Sequence, residues 1–166
     1  MNNSARRHRD KINQVIEDNT YSHQQLAASK AFKVLEGDTR AVVVAAEMQS
    51  GKSGVALALA CLQRQSLNDE AICDRKQLRD TLYLVTLADI ALLDQAKADL
   101  LHAPNVIVSN FNHFEEAIQS NFKLHPPKLI IIDECHYGSA ADAVRYSKVF
   151  DYLENNNTHC KIAFIS

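Results

Sequence analysis

The 166-residue sequence predicts an α/β domain of three layers, with helices on both faces of a mostly parallel sheet of about five or more strands. Three observations carry that expectation. From Ala41 onward, short runs rich in Val, Ile and Leu alternate with longer stretches of helical periodicity. Turn-forming or polar residues separate the two kinds of segment, with Pro126-Pro127 the sharpest break. Two of the apolar runs end in residues suited to phosphate chemistry, at strand ends where open α/β sheets place their ligands.

Taken in order, Ser4 to Asp18 reads as a helix with Ile12, Val15 and Ile16 on one side. Ser22 with Gln25 three residues on reads as a capping box. Leu26, Ala27, Ala31, Phe32 and Leu35 then keep helical spacing until Gly37 stops it. Ala41 to Ala46 is continuously apolar and β-branched at its centre, the pattern of a strand covered on both faces. A loop follows, then a helix to about Arg64. Ser66 to Asp80 is polar and charge-mixed, suited to an extended connection or a short surface helix. The alternation then repeats: strand Leu82 to Val85, helix Ala88 to Leu101, strand Val106 to Val108, helix Phe111 to Phe122. It closes with strand Leu129 to Ile132, helix Ala140 to Leu153 and strand Lys161 to Ile165. Parallel strands need right-handed crossovers, which these helices supply.

Composition bounds the rest. With 46% hydrophobic and 23% charged residues, the chain fits one compact domain able to bury a core. A formal net charge of −2 and a pI near 6.4 give no global surface for polyanions, so any such contact is local. The most basic stretch, Arg6-Arg7-His8-Arg9 with Lys11, reads as a solvated helix face. The longest apolar run, Val55 to Leu62, is far too short to span a bilayer, and the expectation is a cytoplasmic protein with no membrane partner. Cys61, Cys73, Cys135 and Cys160 lack any two-residue spacing and read as free thiols, and Cys135-His136 lacks the partners of a zinc site.

The chemistry concentrates in two runs. In Glu47-Met48-Gln49-Ser50-Gly51-Lys52-Ser53, backbone amides from about Gln49 through Ser50 and Gly51 to Ser53 would wrap a β-phosphate at a helix start. Lys52 would reach the β and γ oxygens, and the Ser53 hydroxyl would ligate Mg²⁺. Ala46 stands where the full pattern has its first glycine. The bland alternative is a surface turn before an alanine-rich helix. In Ile130-Ile131-Ile132-Asp133-Glu134-Cys135-His136, two adjacent carboxylates crown a strand tip, an arrangement that is costly without a cation or proton relay. Asp133 would hold the metal, and Glu134 would orient and deprotonate the water that attacks a γ-phosphate. Together the runs point to ATP and Mg²⁺. No Gly-x-Gly follows the first strand, which disfavours a dinucleotide domain.

With these residues in view, the chain resembles the first RecA-like motor domain of superfamily 2 helicases and translocases. That DExH-type group of P-loop NTPases includes the motors of type I and type III restriction systems. Asp133-Glu134-Cys135-His136 matches the DExH box, and Ala46 to Ser53 is similar to motif I, with Gln49 where glycine is common. His23-Gln24-Gln25-Leu26-Ala27 is similar to the Tyr-Gln-x-x-Ala segment, whose glutamine, here Gln24, reads the adenine edge. Leu84-Val85-Thr86 resembles motif Ia and Val108-Ser109-Asn110 the segment before motif II, which makes Thr86 and Ser109 nucleic-acid contacts. A capping or strand-ending hydroxyl is the plain alternative for both. Ala163-Phe164-Ile165-Ser166 looks like the approach to motif III, and His136 would link the nucleotide site to it.

The resemblance implies residues 1–20 as a helical extension and 21–166 as the first motor domain, ending at motif III. It also implies a nucleic-acid partner, DNA in preference to RNA, and a second RecA-like domain that these residues do not contain. Little hydrolysis is then expected from the chain alone. Two other functions stay open: a duplex translocase subunit of a restriction or phage-defence system, and a non-catalytic helicase-like adaptor.

Overall fold

A computed structural model describes residues 2–46, 51–85, 90–133 and 140–166. Helix α1 (Asn3–Asn19) starts where the Asn2 side chain accepts from the Ser4 amide at 2.8 Å, and it ends where the Thr20 amide donates to the Ile16 carbonyl at 3.1 Å. Helix α2 (Ser22–Glu36) is capped one residue earlier than the sequence suggested. Tyr21 is the N-cap, and its amide donates to Gln24 Oε1 at 2.8 Å, so Gln24 takes the place expected of Gln25. Gln25 instead donates to the Thr20 hydroxyl at 3.1 Å, tying α2 back to the end of α1. The remaining elements follow in order: β1 (Ala41–Val44), α3 (Lys52–Gln65), α4 (Asp69–Cys73), β2 (Thr81–Val85), α5 (Ile90–Asp99) and β3 (Val106–Asn110). After them come α6 (Phe114–Asn121), β4 (Leu129–Asp133), α7 (Ala140–Asn156) and β5 (Lys161–Ile165).

The sheet is parallel, in the order β1-β5-β4-β2-β3. Successive side chains of a strand point to opposite faces, and both faces are used. Leu82, Leu84, Ile130 and Ile132 pack with Phe114, Val149 and Leu153 of α6 and α7. Tyr83, Val85, Ile131 and Ile165 pack with Ala28, Leu35, Leu57 and Cys61 of α2 and α3. The three-layer α/β fold of a RecA-like P-loop domain is therefore present.

One strand departs from expectation. β1 is an edge strand rather than one covered on both faces: Val43 is 66% exposed, because the α7 face of the sheet stops short of it. An apolar run reads the same whether one face or two are buried, so the sequence could not tell them apart. The basic stretch also divides. Arg6, Arg7 and His8 are exposed, whereas Arg9 donates to Asp69 Oδ1 and to the Leu67 carbonyl, each at 2.7 Å, and docks α1 onto the α3–α4 corner.

A buried polar junction closes the N-terminal end of the sheet. Asp80 accepts from Arg64 at 3.4 Å, from the Thr81 hydroxyl at 2.8 Å and from the Asn105 amide at 2.8 Å. Its own carbonyl accepts from the Lys128 amide at 2.8 Å. The junction fastens α3 to the starts of β2, β3 and β4.

Candidate nucleotide site

The opposite, C-terminal ends of the strands carry the candidate site. Gly51 has φ +80°, a conformation costly for any residue with a Cβ, and the turn it makes launches α3 at Lys52. The chain therefore delivers Lys52 and Ser53 to the first turn of a helix, where amides and the helix dipole favour an anion.

Strands β1 and β4 are not neighbours; β5 lies between them, so their ends stand roughly 10 Å apart. Lys52, at the start of α3, nevertheless places its Nζ 3.6 Å from Asp133 Oδ1 with both side chains partly buried. The end of β5 is held to the same loop. Ser166 donates to the Val44 carbonyl at 3.0 Å and accepts from the Ala46 amide at 2.9 Å.

Gln24 reaches this place from α2. It is 4% exposed, and its Nε2 donates to the Gly51 carbonyl at 3.1 Å while its Oε1 accepts from Tyr21. Its amide fills space that only glycines leave open: a Cβ on Gly51 would stand 2.7 Å from Gln24 Nε2, and one on Gly54 would overlap the same amide. Beside it lies a cavity of about 510 Å³ lined by Tyr21, His23, Gln24, Gly51 and Ser53. The rings of Tyr21 and His23 stack there at 5.9 Å and 7°. An aromatic face beside a cavity suits a flat base. Tyr21 is the residue the sequence reading passed over, although an aromatic two positions before His23 was its visible signal.

Gln24, Gly51, Lys52, Ser53 and Asp133 are thus gathered at one end of the sheet. Ser109 is not among them. It sits on β3 in register with Leu84 and, through β2, Ile132, two strand spacings or roughly 10 Å from β4. Its hydroxyl donates to the Asn110 and His113 carbonyls at 3.4 and 3.5 Å. Gln49, Ser50, Thr86, Glu134 and His136 lie outside the described residues. Among the described residues no three His, Cys, Asp or Glu side chains cluster as a metal site. Ser53 and Asp133 offer hard oxygen donors, the kind Mg²⁺ takes when phosphates complete its shell.

A family model described as type III restriction enzyme, res subunit, matches residues 17–164. The chain belongs to this family. As a ResIII domain it is a superfamily 2 helicase motor domain, an ATPase-type domain of the helicase and restriction-subunit kind. The match begins inside α1 and ends within β5, so α2 to α7 and all five strands but for Ile165 lie in the ResIII unit. Comparison with the curated proteins finds no match. No helix among the described residues is long and apolar enough to cross a membrane.

Proposed function

We propose that this ResIII domain is the ATP-binding half of a DExH-type motor that couples ATP hydrolysis to movement on nucleic acid, DNA in preference to RNA, in the cytoplasm. One observation carries the reading: Lys52, at the start of the glycine-launched helix α3, and Asp133, at the end of β4, meet at 3.6 Å. In this reading Lys52 binds the β- and γ-phosphates, amides from Gln49 to Ser53 wrap the β-phosphate, and Ser53 and Asp133 hold Mg²⁺. The metal, when bound, neutralises charge on the transferring phosphoryl group. Glu134 orients the attacking water, and His136 passes the state of the site toward Ser166. Tyr21 and His23 stack the base, and Gln24 contacts its edge by exchanging its bond to Gly51 for one to adenine. Thr86 and Ser109 are the proposed backbone contacts to the nucleic acid.

The described residues form one sheet, and this motor class completes its site with arginines of a second RecA-like domain. Loss of such a finger costs about 10³ to 10⁵ in rate. The chain alone is therefore expected to bind ATP with Mg²⁺ and to turn it over negligibly. The match to restriction-enzyme res subunits favours duplex translocation without strand separation as the motion of the whole protein.

Equilibrium binding of a fluorescent ATP analogue to the wild type and to Lys52→Ala tests the proposal. The wild type should bind and the variant should not. Equal binding by both would leave the adaptor reading in its place, and robust DNA-stimulated hydrolysis by the isolated chain would contradict the dependence on a second domain.

A further inference from the structure

A second cavity, of about 600 Å³, opens at the end of the sheet away from the nucleotide site, between α1, the last turns of α3, α4 and the segment entering β3. Cys61 and Arg64 of α3 form its floor, and Arg64 lies about 18 Å along that helix from Lys52. Its volume falls in the range of small-molecule sites. We propose that it binds a small amphiphilic anion: an apolar body bearing one phosphate or carboxylate head.

The walls set the body. Ile12 and Val15 from α1, Ile72 from α4, and Leu78 and Ala103 from the loops present apolar surface to the space. The rim sets the head. Lys11, Arg75 and Arg79, with His8 and His102, are exposed lining residues, and no carboxylate is among the described residues that line the cavity. Arg64 is neutralised by Asp80 at 3.4 Å, whereas Lys11, Arg75 and Arg79 form no ion pair among the described residues. A positive rim on a chain of net charge −2 is a local feature, not a consequence of overall charge. A neutral apolar ligand would leave these cations unused, and a bare polyanion would leave the apolar walls in water. An amphiphile satisfies both, and the volume accommodates a chain of about ten carbons.

The probes are decanoate and decyl phosphate, titrated calorimetrically into the full chain, with decanol and inorganic phosphate as controls. One-to-one binding of at least one probe is expected, with each control at least about tenfold weaker. The relative affinity of the two probes tells carboxylate from phosphate. Charge reversal at exposed positions (Lys11→Glu, Arg75→Glu and Arg79→Glu together) should weaken binding by about tenfold or more, as should Leu78→Asp in the exposed wall. Cys73 lines the same space and is half-buried, so saturating probe should slow its alkylation by iodoacetamide, read by peptide mass. Absence of one-to-one binding, indifference to both variants, or an unprotected Cys73 would each overturn the proposal. So would binding of a short oligothymidylate that depends on Lys11, Arg75 and Arg79 while neither amphiphile binds.

Discussion

The Lys52 ammonium at the start of α3 stands 3.6 Å from the Asp133 carboxylate at the end of β4, although β1, the strand that precedes α3, is separated from β4 by β5. In the proposed site the two groups address different parts of the ligand, the lysine its phosphates and the aspartate its metal. Asp133→Asn should therefore weaken ATP binding by about tenfold in Mg²⁺ and change it little in EDTA. Titrations under the two conditions check this; equal losses in both would remove Asp133 from the metal.

Gln24 and Gly54 are expected to be energetically coupled. An alanine at 54 must displace the Gln24 amide, which is buried and bonded to Tyr21 and Gly51. Losing those bonds costs about 1–3 kcal/mol. Gly54→Ala should be costly in the wild type and much less so beside Gln24→Ala, measured by urea denaturation of all four proteins. Strict additivity in that cycle would show that the amide is not what glycine accommodates.

The Arg64–Asp80 pair should respond asymmetrically. Burial pushes the Asp80 carboxyl up from 3.8, against the bonds from Asn105 and Thr81 and the charge of Arg64. A group with a raised native pKa is most favourable below its unfolded value and loses that contribution as pH rises through the native one. Arg64→Met removes a lowering influence, so its stability should fall more steeply than the wild type's from pH 4 toward 7. Asp80→Ala strands a guanidinium that cannot deprotonate, and should cost about 3–5 kcal/mol throughout. Urea denaturation across that pH range checks both, and parallel pH profiles for Arg64→Met and wild type would refute the first.

Acid should loosen α1. The Arg9 hydrogen bond and the Asn2 amide hold the Asp69 carboxyl below 3.8, so its contribution is present above that value and disappears as pH falls through the native one. Protection factors of the Asn3–Asn19 amides, that is exchange corrected for its intrinsic pH dependence, should fall at pH 3 relative to pH 6, and Asp69→Asn should lower them already at pH 6. Exchange indifferent to both changes would show that apolar contacts alone dock the helix.

Burial pushes the Cys61 and Cys160 thiols up to about 12 from 9.0. Both should resist iodoacetamide at pH 8 in the native protein and react in urea, because the thiolate is the reactive form. Native stability should decline as pH climbs from about 9 toward 12, the window between the unfolded and native values. Labelling of Cys61 as fast as Cys73 at pH 8 would contradict this.

Local pattern was sufficient for which segments are strands and for their succession along the chain. Runs such as Leu129 to Ile132 and Lys161 to Ile165 are strands in the structure, because four consecutive apolar residues, Leu129–Ile132 or Ile162–Ile165, favour burial in a sheet over exposure to water. The 3₁₀ turn at Phe111–His113 before α6 was invisible, since the Asn110 side chain that caps it reads as any polar residue. The choice of Tyr21 over Ser22 as N-cap was equally hidden, because Gln24 is fixed from 27 residues away by its bond to Gly51.

What the chain of residues determined alone was therefore chemistry at strand ends: a lysine and hydroxyl behind Gly51, and a carboxylate after four buried aliphatics. Tertiary structure decided which ends meet. The strand order β1-β5-β4-β2-β3 makes β1 an edge, puts β5 between β1 and β4 and leaves Ser109 at the far edge. It also assembles the Arg64–Asp80–Asn105 junction from three separate segments. Strand order is set by long-range packing and crossover geometry, and neighbouring residues in sequence carry no record of it.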